Sequence, residues 1–238
     1  MGKNGNATQN ILRMNIIVIS LERAKERRER IKSQLKRLNL DAVIMDAVDG
    51  QALSESQKNK IIKNPLTGFR DGEKFKPGEI GCLKSHINAI KMAKTMGWEH
   101  VIILEDDVIL SEDFEKGIKL IFKLAEPNWE HILLGAHIYL NAPPVWQPSV
   151  NPLNYKVSGA YAYILRKTAY DTILEELYQM ELPVDDAIEK VYLREQKIKS
   201  YIFFPFLAYP DINDSYIWNT EATDKKTHAS FKYFKNKL

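Results

Sequence analysis

The chain has 238 residues, a mass of 27.5 kDa and a net charge of +3. With 45% hydrophobic and 27% charged residues it reads as one large globular domain with a real core, which excludes disordered, collagen-like and coiled-coil classes. Its single cysteine, Cys82, excludes an intrachain disulfide framework and a cysteine-rich zinc site.

The first predicted element is a buried strand over Met14–Ser20, apolar and bounded by polar residues. A helix over Ala24–Leu38 follows, with Ile31, Leu35 and Leu38 at helical spacing, and then a short strand at Val43–Met45. This strand–helix–strand opening predicts a parallel sheet. Residues 46–77 are rich in turn signals (Asp49-Gly50, Asn64-Pro65, Gly68, Asp71-Gly72, Pro77-Gly78) around one short helix near 54–62. Glu79–Thr95 is a strong helix, stopped by Gly97; Ser85 and His86 are expected off its apolar stripe. Val101–Leu104 is a buried strand that runs straight into Glu105-Asp106-Asp107. A helix at Glu112–Ala125, a strand at Ile132–Leu134 and a proline-rich loop at 141–152 come next. Val157–Leu165 reads as a strand or strand pair, Lys167–Gln179 and Asp185–Glu195 as helices, and Tyr201–Phe204 as the last strand. The expected fold is therefore α/β, a single domain over 14–217 with a mostly parallel central sheet flanked by helices and a variable C-terminal part. Residues 1–13 read as a leader and 218–238 as a basic C-terminal tail.

The small net charge is unevenly placed. Residues 22–37 hold eight basic and three acidic side chains, and residues 225–238 hold five lysines and no acid. Residues 38–224 hold 28 acidic and 19 basic groups. An acidic body with two basic patches suits phosphate-bearing partners, a nucleotide or an anionic lipid surface; the charge predicts no nucleic acid. No apolar stretch approaches the roughly 20 residues that span a bilayer, and no signal-peptide segment is present, so a cytoplasmic location is expected.

Glu105, Asp106 and Asp107 are the strongest chemical signal. Ligands bind at the carboxyl ends of strands in open α/β sheets, and clustered carboxylates suit a hard divalent cation, magnesium or manganese. An acidic turn opening a helix has the same composition. Pro183-Val184-Asp185-Asp186 offers a general base or an ordinary helix cap. Ser85-His86 is a hydrogen-bonding pair without a nucleophile constellation. Ser20 with Arg23, Arg27 and Arg28 offers phosphate-binding arginines or a solvated basic helix.

Several of these segments together resemble glycosyltransferase family 25, the lipooligosaccharide galactosyltransferase-like proteins. They are Val18–Arg23 with Arg27-Arg28, Ala47–Gly50, Gly78–His86, Ile103–Val108 and Trp129–Gly135. Gly159–Tyr163, Pro183–Asp185 and the Pro205–Pro210 region follow in the family's order. The resemblance covers about 14 to 217. It implies a GT-A-type fold and transfer of a hexose from UDP-galactose, or UDP-glucose, with inversion, to a glycan or glycolipid acceptor such as lipooligosaccharide or lipopolysaccharide. Glu105-Asp106-Asp107 would stand where the family has its DxD motif, with Asp107 and then Glu105 on Mn2+ or Mg2+ and Asp106 nearer the sugar. The resemblance also implies Ser20, Leu21, Arg23 and Arg28 near the nucleotide, Ser85 and His86 supporting the donor, and Gly159, Ala160 and Tyr161 on the acceptor side, with Tyr161 able to stack on a sugar. Asp185 is the implied base, with Asp186 second. The basic segments would then touch an anionic inner-membrane surface. A nucleotidyltransferase would also use clustered acids, but it should show a glycine-rich or basic phosphate loop after the first strand, and Ser20–Arg23 has no glycine. A non-catalytic sugar-binding or scaffold protein is the third reading.

Overall fold

A run of apolar residues without polar alternation must be covered on both sides, and the first strand shows it. In the computed structural model, which describes residues 14–61, 75–138 and 147–211, β1 (Ile16–Ser20) is buried along its whole length. Ile17 and Ile19 face one apolar cluster, Ile16 and Val18 the other. Helix α1 (Lys25–Arg37) lays Ile31 and Leu35 on the second cluster. β2 (Val43–Asp46) then returns parallel to β1, as expected. After the short α2 (Glu55–Ile61), α3 (Pro77–Thr95) starts with proline in its first turn and a capping box, in which the Lys76 N–H donates to Glu79 Oε2 at 2.8 Å. Its exit uses Gly97 at φ +66°.

β3 (His100–Glu105) pairs parallel with β1. β4 (Val108–Leu110) leads to α4 (Phe114–Leu124), and β5 (His131–Leu133) follows. Next come β6 (His137–Ile138), β7 (Ser149–Pro152), β8 (Val157–Ser158) and β9 (Ala162–Arg166). A 3-10 turn, Lys167–Ala169, opens α5 (Tyr170–Gln179); α6 (Val184–Glu189), β10 (Ser200–Phe204) and β11 (Ala208–Pro210) complete the chain described.

The central sheet has seven strands in the order β2-β1-β3-β9-β5-β10-β7, and only β9 and β7 run against the other five. Helices α3, α5 and α6 cover one face, and α1 and α4 the other. The fold is thus α/β, with a mostly parallel sheet flanked by helices. None of the described helices is long and apolar enough to cross a membrane.

The differences from expectation have local causes. The first strand starts at Ile16 rather than Met14. The end of the expected loop at 141–152 is the edge strand β7, where Pro152 needs no ladder N–H. Val157–Leu165 is split by Gly159 at φ +99°, so β8 and β9 join different sheets. The expected 185–195 helix stays α-helical only to Glu189 and passes into a π-helical turn, Lys190–Arg194. β4 and β11 form an unexpected two-stranded ribbon, each strand only three residues long. Ser85 and His86 are fully buried rather than off the apolar stripe. The leader 1–13, the tail 218–238 and the turn signals at 64–72 lie outside the described residues.

Candidate functional site

β1, β2 and β3 all end at one edge of the sheet, with Ser20, Asp46 and Glu105 as their last residues. β9 starts at the same edge, where the Glu105 N–H donates to the Tyr161 carbonyl at 2.8 Å. This carboxyl edge is where open α/β sheets bind ligands.

The β1–β3 wall of the edge is a set of compensated charges. Asp106 is buried; it accepts the Ser20 hydroxyl at 2.7 Å and lies 2.5 Å from Arg27 Nη2. The same guanidinium nitrogen reaches Asp107 Oδ2 at 2.8 Å. Arg28 donates to the Ser20 carbonyl at 2.7 Å and hydroxyl at 3.2 Å, and to Asp46 at 2.7 Å. Glu105 turns toward α3: its Oε1 lies 3.2 Å from His86 Nε2 and 3.5 Å from the Cys82 sulfur. His86 Nδ1 in turn lies 2.9 Å from the Tyr163 hydroxyl.

The acids titrate differently as a result. Burial raises Asp107 to about 7, the Glu105 charge adds to the rise, and Arg27 opposes it. Burial also raises Asp106, against Arg27 and the Ser20 hydrogen bond. Burial pushes Glu105 up too, but the hydrogen bond and charge of His86, with Cys82, leave it net below its ordinary value.

Asp185 lies in the first turn of α6. Its Oδ2 accepts the Gly159 N–H at 3.2 Å. Burial first, then the negative charges of Glu105 and Asp185, raise the Cys82 thiol. Asp185 lines a small recess together with His131, Val157, Ser158, Gly159 and Ala160. Gly159 is required there: a Cβ would lie 2.6 Å from the Tyr161 ring, and its φ of +99° strains any other residue.

The structure thus brings together Ser20, Arg28, His86, Glu105, Asp106 and Asp107 at the sheet edge, and groups Asp185 with Gly159 and Ala160 around the small recess. Other expected site residues sit differently. Ser85 is buried and pins a loop: its hydroxyl donates to the Gly81 carbonyl at 2.6 Å and accepts the Val48 N–H at 2.8 Å. The loop lies so close that a Cβ on Gly81 would meet the Val48 oxygen at 2.4 Å. Asp186 is buried beside Lys156, 3.7 Å away, rather than on Gly159. Tyr161 is buried with its ring edge-on to His137, so it presents no free face for a sugar. Arg23 pairs with Asp49 at 2.5 Å at the surface, and the half-buried Leu21 accepts the Ala24 N–H at 3.0 Å. Four arginines of α1 pair with acids outside the helix: Arg27 and Arg28 as above, Arg30 with Asp211 at 3.5 Å and Arg37 with Glu112.

Cys82 and Tyr163 are the neighbours that sequence reasoning did not single out as site residues, and Arg27, weighed there as a phosphate-binding arginine or part of a solvated helix, is instead buried on Asp106 and Asp107. Arg27 had a signal, because it lies four and eight residues before Ile31 and Leu35 on the buried stripe of α1.

Residues 14–142, more than half of the chain, match glycosyltransferase family 25 (LPS biosynthesis protein). The chain is 30% identical to procollagen galactosyltransferase 2 of Homo sapiens, over 90% of this chain and 40% of that protein. It is 27% identical to procollagen galactosyltransferase 1-B of Xenopus laevis, over 91% and 42%. It is 30% identical to inactive glycosyltransferase 25 family member 3 of Homo sapiens, over 72% and 30%. The chain therefore spans less than half the length of these relatives. A solved glycosyltransferase involved in the glycosylation of the major capsid of PBCV-1 aligns over 79% of this chain and 81% of its own, at TM-score 0.43 and 13% identity. On the extent of the family match, the chain belongs to glycosyltransferase family 25.

Proposed function

We propose that this chain transfers a hexose, galactose first and glucose second, from its UDP-sugar to a hydroxyl of lipooligosaccharide, lipopolysaccharide or a related glycan. The transfer inverts the anomeric carbon, on a fold of GT-A type. Family membership and the names of the relatives support the class. The observation that carries the reading is the acid triad at the carboxyl edge of the sheet, tied to Ser20, Arg27 and His86; in this reading Asp185 works from the opposite side of the sugar.

The triad fits Mn2+ or Mg2+. It offers hard oxygens, and one buried guanidinium serves both Asp106 and Asp107, so three carboxylates share a single arginine. Asp107 and Glu105 would hold the cation, which when bound supplies positive charge for the departing UDP. Ser20 and Arg28, tied to each other, hold the end of β1 for the nucleotide, with Leu21 and Arg23 beyond it. His86 fixes Glu105 from below.

Asp185 takes the proton of the attacking hydroxyl, as an inverting displacement needs a base opposite the leaving group. The Gly159 N–H holds one of its carboxylate oxygens in place. Gly159 and Ala160 leave room for the acceptor. No covalent nucleophile is used.

The test is UDP release from UDP-galactose, UDP-glucose and UDP-N-acetylhexosamines, with and without manganese. UDP-galactose with manganese should be fastest. Asp107→Ala and Asp185→Ala should each lower turnover by about a hundredfold or more with the fold intact. Full turnover in both variants overturns the site. A non-catalytic sugar-binding protein is the second reading, favoured by Arg27 already occupying Asp106 and Asp107. It predicts UDP-sugar binding without UDP release.

The same proposal takes the acceptor at the cytoplasmic face of the inner membrane, with the lysine tail, rather than α1, as the contact. Anionic liposomes should bind the full chain, and deleting residues 225–238 should abolish binding. Binding unchanged by the deletion overturns that contact.

A further inference from the structure

We infer that Cys82, His86 and Glu105 form a binding site for a borderline-soft divalent cation, Zn2+, separate in chemistry from the hard-cation role proposed for the triad. The three side chains converge from α3 and the end of β3, and one donor atom from each lies within 4.8 Å of the other two. A tetrahedral zinc with bonds of about 2.0 Å to N and O and 2.3 Å to S separates its N and O ligands by about 3.3 Å and its S and O ligands by about 3.5 Å. The observed distances are 3.2 Å for His86 Nε2 to Glu105 Oε1 and 3.5 Å for Cys82 Sγ to the same oxygen. Two of the three edges of the ligand triangle are therefore already in place.

The surroundings complete the site. A zinc-bound imidazole needs a partner on its other nitrogen to fix its ring and tautomer. The Tyr163 hydroxyl, 2.9 Å from His86 Nδ1, is that partner. His86 is fully buried, whereas Cys82 and Glu105 are half-buried, so an ion can enter from the cleft and leave its fourth corner open there. Binding releases the thiol proton to solvent. The imidazole proton moves to Nδ1, where it faces the Tyr163 oxygen, so the ion gains one thiolate, one neutral imidazole and one carboxylate. A thiolate–imidazole set selects Zn2+ over Mg2+ or Mn2+.

Cys82 is the only cysteine in the chain, so a thiolate signal has one source. The metal-free full-length chain, titrated with Co2+, should develop a near-ultraviolet thiolate-to-cobalt band that saturates at one equivalent. Zn2+ should abolish the band, and Mg2+ in large excess should leave it. Cys82→Ser should eliminate the band and weaken Zn2+ binding at least tenfold, while Asp107→Asn should keep both. No band in the wild-type chain, or Zn2+ binding unchanged in Cys82→Ser, overturns the site; the wild-type titration decides even where the variant folds poorly. One arm rests on the transferase reading. Because Glu105 cannot serve both ions, Zn2+ should inhibit UDP release in the wild-type chain, and Cys82→Ser should relieve the inhibition. Inhibition by Zn2+ without relief in Cys82→Ser counts against the site. Absence of UDP release under every condition counts against the transferase reading and leaves the cobalt result standing.

Discussion

On the β1–β3 side of the cleft the acids are tied to side chains, Glu105 to His86 and Cys82, Asp106 to Ser20 and Arg27, Asp107 to Arg27. On the α6 side Asp185 meets one backbone N–H, at Gly159. Cross-linked charges fix geometry, and their removal is felt by the whole fold, because an abandoned buried charge has no water to turn to. A carboxylate with a single neutral donor can change its protonation without rearranging its neighbours. The contrast separates a wall that holds a shape from a wall that can exchange a proton.

The largest test of that contrast is Arg27→Met, which keeps the apolar stem on the α1 stripe and deletes the guanidinium. Two carboxylates are then left unpaired beside Glu105. Removing one partner of a buried ion pair costs about 3–5 kcal/mol, which lowers the melting temperature by roughly ten degrees in a chain of this size. Urea and thermal denaturation measure it. A loss below about 1 kcal/mol would mean that Arg27 does not hold this wall.

Asp107→Asn should act in the opposite direction. The amide can still accept from Arg27, and it carries no charge to desolvate or to repel Glu105. With the folded pKa raised to about 7 against an unfolded value near 3.8, the folded state binds more protons than the unfolded state between these limits. Stability of the wild type therefore falls as pH rises through that window and is flat above it. The variant should gain on the wild type steadily from about pH 4 to 7, to a limit on the order of a few kcal/mol. A difference that does not change with pH would show that Asp107 is not strained by its neighbours.

Ser85→Ala probes the support behind the same wall. It leaves the half-buried Val48 N–H without its acceptor and loosens the loop that Gly81 packs against, a loss of about 1 kcal/mol. The UDP-sugar KM should move little, since the hydroxyl is spent on the backbone. A KM rise of tenfold or more with stability unchanged would return Ser85 to the donor site.

How much of this was legible depended on whether one element carried the signal. Ile16–Ser20 and His100–Glu105 show as strands because an unbroken apolar run has one physical explanation, and the triad is conspicuous because it ends such a run. Arg27 stands out in the sequence as one of several arginines after the first strand, but only its register with Ile31 and Leu35 marks it as buried. Tyr163 and Cys82 matter through pairings that no single segment contains. Antiparallel register sets Tyr163 opposite Ile103, two residues before Glu105, and α3 must lie across that strand to bring Cys82 and His86 onto it. Ser85 looks like a candidate ligand until the 47–50 loop is seen to rest on Gly81. β4 and β11 have three residues each, too few for a period, and Pro152 disguises an edge strand as a loop.

Asp185 and Asp186 illustrate the same limit, and they give the smallest expected stability effect. Adjacent residues on a helix point about 100° apart, so only one of them can face the cleft, and sequence does not say which. Asp185 meets Gly159, while Asp186 is buried beside Lys156. Asp185→Asn keeps an oxygen for the Gly159 N–H and removes only the charge, so its unfolding free energy should stay within about 0.5 kcal/mol of wild type. Asp186→Asn leaves Lys156 with Glu189, 3.3 Å away, and should also be mild. Turnover separates them. Asp185→Asn should lose about a hundredfold or more in kcat with KM for the donor nearly unchanged, because a general base acts in the transition state and not in donor binding. Asp186→Asn should lose less than about threefold. The reverse order would move the proton acceptor to Asp186, and the contrast between the two walls would fail with it, since Asp186 already sits beside a lysine.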